Sequence, residues 1–218
     1  MNITDAIKAK YPDPILSEPS NKNYSCFNTG GVEIEVGEFL YGLVRMIKPA
    51  NILETGTHKG ISAAYMASAL RDNDDGHLTT IEFMPQNFTD SNTLLDNLGL
   101  SAWAEVSLMD AAAWSPAESE PYLDIVFLDT EPQTRFAELE RIYTSVKPGG
   151  IIMIHDLHPT LGQNSNNPDH PDEPHWPYGP VPAKMQELIK INALRLVHFR
   201  TPRGLTLFYK PSVEDYTS

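Results

Sequence analysis

The sequence predicts an α/β fold in which a single doubly wound, mainly parallel sheet carries helices on both faces and ends in an antiparallel strand. Apolar runs of strand length alternate with stretches of helical periodicity from residue 35 onward. These runs are continuously apolar rather than alternating, which is typical of parallel strands covered on both faces. Two further β-like runs, separated by Thr-Pro-Arg-Gly, end the pattern and predict a hairpin.

The predicted elements follow an N-terminal arm, residues 1–34, that is polar, rich in proline and expected to be irregular apart from a short helix at its start. The first long helix covers 35–47 and ends before Pro49. The predicted strands are 51–55, 77–82, 103–108, 123–129 and 151–154. The predicted helices are 61–70, 87–97, 135–146 and 181–191, and the hairpin strands are 194–200 and 205–210.

Residues 157–180 interrupt this order because they are crowded with Pro, Asn, Asp and His. A segment of this length inside a compact domain is typically either functional or disordered. We therefore expect a long loop that serves as a substrate lid, with Trp176 and Tyr178 covering an apolar acceptor. A solvated, flexible loop is the alternative. The chain shows no linker, so residues 1–218 are expected to form one domain.

Composition and charge exclude several classes of protein. The 218 residues include 16 basic and 29 acidic side chains, and the resulting net charge of −13 disfavours a nucleic-acid partner. No apolar run is long enough to span a bilayer, so no membrane association is expected. A single cysteine, Cys26, and an N-terminus without a secretory pattern predict a cytoplasmic protein.

The strongest local signal is the turn after the first strand, Glu-Thr-Gly-Thr-His-Lys-Gly at 54–60. Gly56 lets the backbone approach a ligand, and Gly60 is expected to let the helix start pack near the strand. The amides at that helix start suit a carboxylate or phosphate, and Glu54 can accept from an amine or a water. A dinucleotide fingerprint needs glycine where His58 stands, which favours a ligand without a pyrophosphate.

Acidic residues end the next two strands. Glu82 is placed to accept both ribose hydroxyls of an adenosine, and a solvated loop residue is the alternative. Asp110 precedes Ala111 and could accept from an adenine amino group, whereas a helix N-cap is equally compatible with its position. The position of Glu82 after the glycine turn favours a ribose ligand, and both interpretations of Asp110 remain open.

These segments resemble the class I S-adenosylmethionine (SAM)-dependent methyltransferases, especially catechol-type and bacterial small-molecule O-methyltransferases. The resemblance covers roughly residues 33–156. It also includes Asp-Ile-Val-Phe-Leu-Asp at 124–129 and Val-Lys-Pro-Gly-Gly-Ile-Ile-Met-Ile-His-Asp at 146–156. It implies SAM as the cofactor. The cofactor-binding residues expected from it are Glu54, Thr55, Gly56, Thr57, Gly60, Ser62, Glu82, Phe83, Asp110, Ala111 and Asp129.

Asp129 and Asp156 end two strands that are expected to be neighbours, so their carboxylates should converge. Two carboxylates can hold Mg²⁺ or another divalent cation, which would lower the pKa of a bound hydroxyl. The resemblance implies a further ligand at position 157 and a catalytic lysine at position 132, but this chain has Leu157 and Pro132 there. A reaction without a metal therefore remains open.

His155 and His158 are the candidates for a general base, with Asp129 as the third expected catalytic residue. A regular strand would turn His155 and Asp156 to opposite faces, so only one of the two would face the substrate. A packed residue at the strand end is the alternative for His155.

The sequence thus predicts an enzyme that transfers a methyl group from SAM to a hydroxyl of a small molecule, assisted by a divalent metal if the aspartates bind one. One alternative is a metal-independent N- or C-methyltransferase. Another is a SAM- or nucleotide-binding protein of the same fold with other chemistry, such as a cephalosporin-hydroxylase-like enzyme. The helix at 35–47 and the arm before it are candidates for a homodimer contact.

Overall fold

The computed structural model describes residues 2–18, 21–116, 120–156, 183–191, 193–199, 201–212 and 215. The chain divides into two compact units, Met1–Trp114 (unit 1) and Ser115–Ser218 (unit 2). The single domain of residues 1–218 stays a prediction. The lid predicted at 157–180, with Trp176 and Tyr178, lies outside the described residues, as does His158.

Unit 1 begins with a helix, α1 (Ile3–Lys10), whose N-cap Asn2 accepts a 2.8 Å hydrogen bond from the amide of Asp5. Two short strands follow, β1 (Ile15–Glu18) and β2 (Asn21–Cys26), and they pair as a separate antiparallel sheet. The prediction of an irregular arm was therefore wrong for this hairpin. Its second strand reads Asn-Lys-Asn-Tyr-Ser-Cys, which carries little of the apolar pattern that identifies strands.

The next elements of unit 1 confirm the predicted alternation. They are α2 (Ile34–Ile47), β3 (Asn51–Thr55), α3 (Ile61–Asn73), β4 (His77–Glu82), α4 (Pro85–Asn97) and β5 (Ala104–Leu108). Every residue of α3 from Ile61 to Leu70 is buried. Close packing explains this, because a Cβ at Gly37 of α2 would lie only 2.3 Å from the ring of Tyr65.

Strands β3, β4 and β5 are parallel neighbours in the order β5-β4-β3. Thr55 pairs with Ile81, and Glu82 pairs with Leu108, so the carboxyl ends of the three strands meet at one edge. Ligands of open α/β sheets bind outside this edge. A one-turn 3₁₀ helix, Ala111–Ala113, follows β5.

Unit 2 contains β6 (Leu123–Leu128), α5 (Pro132–Ile142) with a 3₁₀ turn at Tyr143–Ser145, β7 (Val146–His155), α6 (Ala183–Lys190), β8 (Arg195–Phe199) and β9 (Leu205–Tyr209). The strand order is β6-β7-β9-β8. β6 and β7 are parallel, whereas β9 is antiparallel to both β7 and β8. The predicted C-terminal hairpin and antiparallel strand are therefore confirmed.

The strand predicted at 151–154 begins earlier, because Lys-Pro-Gly-Gly at 147–150 lies within β7. The register shifts here, since Leu123 pairs with Val146 and Ile125 pairs with Ile151. Gly149 has a φ of 85°, and its amide donates to the carbonyl of Lys210 at 2.6 Å. Within the described ranges, no helix is long and apolar enough to cross a membrane.

Candidate functional site

The glycine turn of unit 1 folds over the end of β4. Gly56 has a φ of 87°, and the amides of Gly56 and Thr57 both donate to the carbonyl of Ile81, at 3.0 and 3.1 Å. His58 has a φ of 50°, a left-handed conformation that costs a residue with a Cβ about 1–2 kcal/mol. The turn holds this strained backbone in place and leads directly into α3 at Gly60.

Gly60 permits a different contact from the one expected. A Cβ at this position would lie 3.0 Å from Cβ and 3.2 Å from Cα of Ser91, which belongs to α4. The glycine therefore lets the start of α3 approach α4 rather than a strand. Its φ of 79° adds a second reason for glycine at the helix N-cap.

Glu54 is fully buried beneath this turn. Its Oε1 accepts a short hydrogen bond from Ser62 on the first turn of α3, and its Oε2 accepts from the Thr80 hydroxyl at 2.5 Å. The hydroxyls of Thr57 and Thr80 lie 2.5 Å apart. The carboxylate thus ties β3, the helix start and β4 together through neutral donors.

Glu82 is held by backbone amides. Its Oε2 accepts from the amide of His58 at 2.7 Å, and its Oε1 accepts from the amide of Met84 at 2.8 Å. The residue is 4% exposed, so a solvated loop residue does not describe it. The bond to His58 joins the end of β4 directly to the glycine turn.

Apolar side chains stand exposed beside Glu82. Phe83 is 63% exposed, and Leu108, the pairing partner of Glu82, is 48% exposed. Large exposed apolar side chains grouped at one place mark a surface that suits an apolar ligand. Asp110 accepts a 2.8 Å hydrogen bond from the amide of Ala112 and is the N-cap of the 3₁₀ helix, which is the alternative that the sequence left open.

In unit 2, three predicted residues meet. His155 Nδ1 lies 3.1 Å from Asp129 Oδ1 and 3.5 Å from Asp156 Oδ1. The expectation that His155 and Asp156 point to opposite faces is wrong, because β7 ends at His155 and Asp156 adopts a left-handed φ of 54°. Both residues are buried, whereas the Asp129 side chain is 14% exposed.

Two arginines that the sequence did not single out complete this cluster. Arg135 of α5 is buried, and its Nη2 donates to Asp129 Oδ1 at 3.3 Å and to Asp156 Oδ2 at 3.1 Å. Its other nitrogens donate to the backbone carbonyls of Thr130 and His155. We call Asp129, Arg135, His155, Asp156 and Arg203 the arginine–aspartate cluster.

Arg203 approaches Asp156 from the connection between β8 and β9. Its Nη2 donates to Asp156 Oδ2 at 3.0 Å, and its Nε lies 2.8 Å from Asp156 Oδ1. The second contact is an ion pair without hydrogen-bond alignment, since Oδ1 accepts no hydrogen bond from the described residues. Arg203 occurs in the Thr-Pro-Arg-Gly turn, which the sequence marked only as a hairpin connection.

These charges set the protonation of the cluster. Burial by itself lowers the pKa of His155, but the negative charges of Asp156 and Asp129 outweigh it and raise the pKa to about 10. Burial raises the pKa of Asp156, but His155, Arg203 and Arg135 outweigh it and lower the pKa below its ordinary value. His155 is therefore an imidazolium at neutral pH. Both of its ring nitrogens carry a proton, so it cannot accept one as a general base.

The cluster was expected to bind a divalent cation, and its geometry allows a test of the fit. Asp129, His155 and Asp156 each offer a ligand atom within 4.8 Å of the others. However, the two carboxylates already face the guanidinium groups of Arg135 and Arg203. A doubly charged ion here would meet two fixed positive charges, so these residues do not fit a divalent cation.

Comparisons with known proteins find similarity to methyltransferases. A family model described as a methyltransferase domain matches residues 53–157. A catechol O-methyltransferase of Niastella koreensis is 28% identical over 138 residues, which are 61% of this chain and 62% of that relative. The chain spans 57–62% of the length of this and two further curated relatives.

Solved structures share the fold. The O-methyltransferase TomG of Streptomyces achromogenes, solved in complex with SAM, has a TM-score of 0.62 at 22% identity and covers 84% of this chain and 82% of its own. The O-methyltransferase of Bacillus cereus, solved with SAH, has a TM-score of 0.64 at 21% identity, with coverage of 83% and 82%. The predicted α/β fold class is thus confirmed. The chain is thus similar to SAM-dependent methyltransferases, and the similarity to a methyltransferase-domain model extends over residues 53–157.

Proposed function

We propose that this protein transfers a methyl group from SAM to a hydroxyl oxygen of a small molecule. The observation that carries the proposal is the hydrogen bond from the amide of His58 to Glu82. This bond holds the buried carboxylate that we assign to the ribose against the glycine turn. The O-methyltransferases among the relatives support the same activity.

The residues of unit 1 fit SAM. Each oxygen of Glu82 accepts one amide, which uses about half of the acceptor positions of a carboxylate and leaves capacity for the two ribose hydroxyls. Phe83 and Leu108 supply exposed apolar surface that suits the adenine ring. Asp110 remains a candidate for the adenine amino group in addition to its capping role.

The methionine end of SAM is assigned to the glycine turn. Gly56 and Gly60 allow the left-handed backbone of the turn, and the helix start supplies amide donors for a carboxylate. Glu54 holds this turn through Ser62 and the Thr80 hydroxyl, so we assign it to shaping the site. Thr55, Thr57 and Ala111 remain candidate contacts.

When bound, SAM supplies an electrophilic methyl group on a sulfonium. We propose that Asp129, the most exposed carboxylate of the arginine–aspartate cluster, accepts the hydrogen bond of the acceptor hydroxyl. It then takes the hydroxyl proton as the O–CH₃ bond forms and the S–CH₃ bond breaks, which leaves the sulfur as the neutral thioether of SAH. His155 holds Asp129 by donating to it and does not act as the base, because its pKa is raised to about 10. A role of His158 as the base stays a prediction.

The acceptor is proposed to be a small hydroxylated molecule. The net charge of −13 disfavours a nucleic acid, and relatives include a catechol O-methyltransferase. Since the cluster does not fit a divalent cation, methyl transfer to nitrogen or carbon is a second candidate. Nuclear magnetic resonance of the methylated product distinguishes the three acceptor atoms.

Calorimetry tests the cofactor assignment. The wild-type protein is titrated with SAM, SAH and NAD, next to Glu82→Ala and the exposed control Glu105→Ala of β5. We expect SAM and SAH to bind and Glu82→Ala to lose at least tenfold in affinity, while the control is unchanged. Tight NAD binding without SAM binding would contradict the proposal.

We also propose a partner and a location for the protein. The C-terminal end of α2 exposes Met46 by 74% and Ile47 by 36%, which supports the predicted homodimer contact there. Sedimentation of wild-type protein and Met46→Glu tests it. Cys26, the single cysteine of the sequence, is buried, which is compatible with the predicted cytoplasmic location.

A further inference from the structure

We propose that Arg135 and Arg203 replace a divalent cation at Asp129 and Asp156, and that Arg203 is a positioning residue of the catalytic carboxylates. The proposal concerns how the side chains of the arginine–aspartate cluster are held in place. It rests on the proposed function only where it speaks of turnover. Neither arginine was among the residues that the sequence motifs indicated.

The first step of the argument is the bridge made by Arg135. A single nitrogen, Nη2, donates to both aspartates, at 3.3 Å to Asp129 and 3.1 Å to Asp156. One guanidinium nitrogen thus links the two carboxylates and places a positive charge between them. The guanidinium is fixed there by bonds to two backbone carbonyls, so it is a permanent part of the cluster.

Arg203 then closes the other side of Asp156. Its Nη2 shares the same oxygen, Oδ2, with Arg135, and its Nε lies 2.8 Å from Oδ1. Both oxygens of this carboxylate therefore face a guanidinium. Because the Asp156 side chain is fully buried, a cation could reach it only by displacing one of the two arginines.

The charges and donor types point the same way. Mg²⁺ and Ca²⁺ take about six oxygen ligands, whereas the third member of this group is the nitrogen of His155. Two aspartates are matched by two guanidiniums before any ion is added. The cluster thus provides counter-charge and fixed orientation without a metal.

Arg203 differs from Arg135 in a way that makes it testable. Its side chain is 22% exposed, and it lies in a hairpin connection, whereas Arg135 is buried in a helix that supports several other bonds. Removing Arg203 opens one face of Asp156 and leaves the bridge of Arg135 in place. That change should create room and charge for a cation.

The first experiment titrates metal-stripped wild-type protein with Mn²⁺ and with Mg²⁺, read by calorimetry and by thermal unfolding. We expect no saturable binding and no change in Tm at millimolar concentrations. One Mn²⁺ bound per chain, with the binding lost in Asp156→Asn, would overturn the proposal. This measurement needs neither SAM nor an acceptor.

The second experiment compares Arg203→Ala, Arg203→Lys and the control Arg195→Ala, an exposed arginine on β8. We expect Arg203→Ala to lower Tm and to acquire a saturable, stabilising response to Mn²⁺. Arg203→Lys keeps the positive charge and should show no Mn²⁺ response, like the control. Arg203→Ala without any Mn²⁺ response would show that the guanidinium does not stand in a cation's place.

Turnover separates this inference from the proposed function. If the protein binds SAM and methylates an acceptor, wild-type kcat should be unaffected by chelator. Arg203→Ala should lose at least tenfold in kcat with little change in KM for SAM, and Mn²⁺ should restore part of it. Failure to bind SAM would end the proposed function but would leave both cation titrations valid. If Arg203→Ala does not fold, the wild-type titration and Arg203→Lys still decide.

Discussion

The carboxylates of the candidate site are held in different ways in the two units. In unit 1, Glu54 accepts from the hydroxyls of Ser62 and Thr80, and Glu82 accepts from two backbone amides. In unit 2, the aspartates of the arginine–aspartate cluster accept from guanidinium groups and an imidazolium. Neutral donors hold Glu54 and Glu82, whereas charged donors hold Asp129 and Asp156.

This difference bears on what each carboxylate can do. Neutral donors stabilise a carboxylate without cancelling its charge, so Glu82 retains an attraction for ligand hydroxyls. A guanidinium cancels the charge and compensates the large desolvation cost of a buried ion. Asp156 therefore serves mainly to stabilise the protein's own structure. Asp129, whose side chain is 14% exposed, is the carboxylate of the arginine–aspartate cluster that can contact a ligand.

The largest expected effect comes from breaking the charged arrangement. Asp156→Asn leaves Arg135 buried without one of its carboxylates and should lower the free energy of unfolding by about 3–5 kcal/mol. Urea denaturation measures it. The control is Asp124→Asn, which breaks a partly exposed pair with Lys147 and should cost at most about 1 kcal/mol. Equal stability of the two variants would remove the contrast between buried and exposed pairs.

The charged arrangement should also make stability fall at alkaline pH. The pKa of His155 is raised from 6.5 to about 10, because the charges of Asp156 and Asp129 outweigh burial and the opposing charge of Arg203. A raised pKa contributes stability that is fully present below pH 6.5 and is lost as pH rises through 10. We expect a loss on the order of 5 kcal/mol across this window.

His155→Asn tests the origin of that loss. Asparagine cannot carry a charge, so the stability of the variant should be lower at pH 6 and nearly independent of pH up to about 10. An unchanged alkaline slope in His155→Asn would assign the loss to another group.

On the acid side, Asp156 determines the pH dependence. Its pKa is lowered, so the stability that it contributes is present above pH 3.8 and is lost on acidification below that value.

Glu54, which is held by neutral donors, should tolerate an isosteric substitution with a smaller loss of stability than Asp156. In Glu54→Gln, the hydroxyls of Ser62 and Thr80 can rotate to donate to the amide oxygen or to accept from the amide nitrogen. We expect a loss of about 1–3 kcal/mol, smaller than for Asp156→Asn, because no buried charge is left unmatched. The pair of denaturation curves measures the comparison directly, and a larger loss in Glu54→Gln would reverse it.

The residues of unit 1 could be predicted because their signals are local. The glycine turn and the strand that ends at Glu82 are each contained in a few consecutive residues, and parallel pairing brings them to one edge. The hairpin β1–β2 was missed because its residues carry no apolar alternation. The role of Gly60 was misjudged because its neighbour, Ser91, is far away in the sequence.

The cluster of unit 2 could be predicted only in part. Asp129 and Asp156 follow apolar strands and were recognisable, but Arg135 and Arg203 reach Asp156 over 21 and 47 residues of sequence. Their positions depend on where α5 packs and on the register of β8 and β9. The left-handed conformation of Asp156 was equally hidden, since aspartate tolerates it and no glycine signals it.

The smallest expected effect concerns Asp110, a carboxylate of unit 1 that is held by a single backbone amide. Its carboxylate caps a single 3₁₀ turn by accepting from the amide of Ala112, so Asp110→Ala should cost only about 0.5–1 kcal/mol in urea denaturation. Asp110→Ser retains a capping oxygen and should keep that stability, but its side chain is too short for an adenine amino group. If Asp110 also holds adenine, both variants lose about three- to tenfold in SAM affinity by calorimetry, as one hydrogen bond predicts. If Asp110→Ser binds SAM like the wild type, the residue is a cap alone, and Glu82 becomes the one acidic strand end of unit 1 that is left to hold the nucleoside.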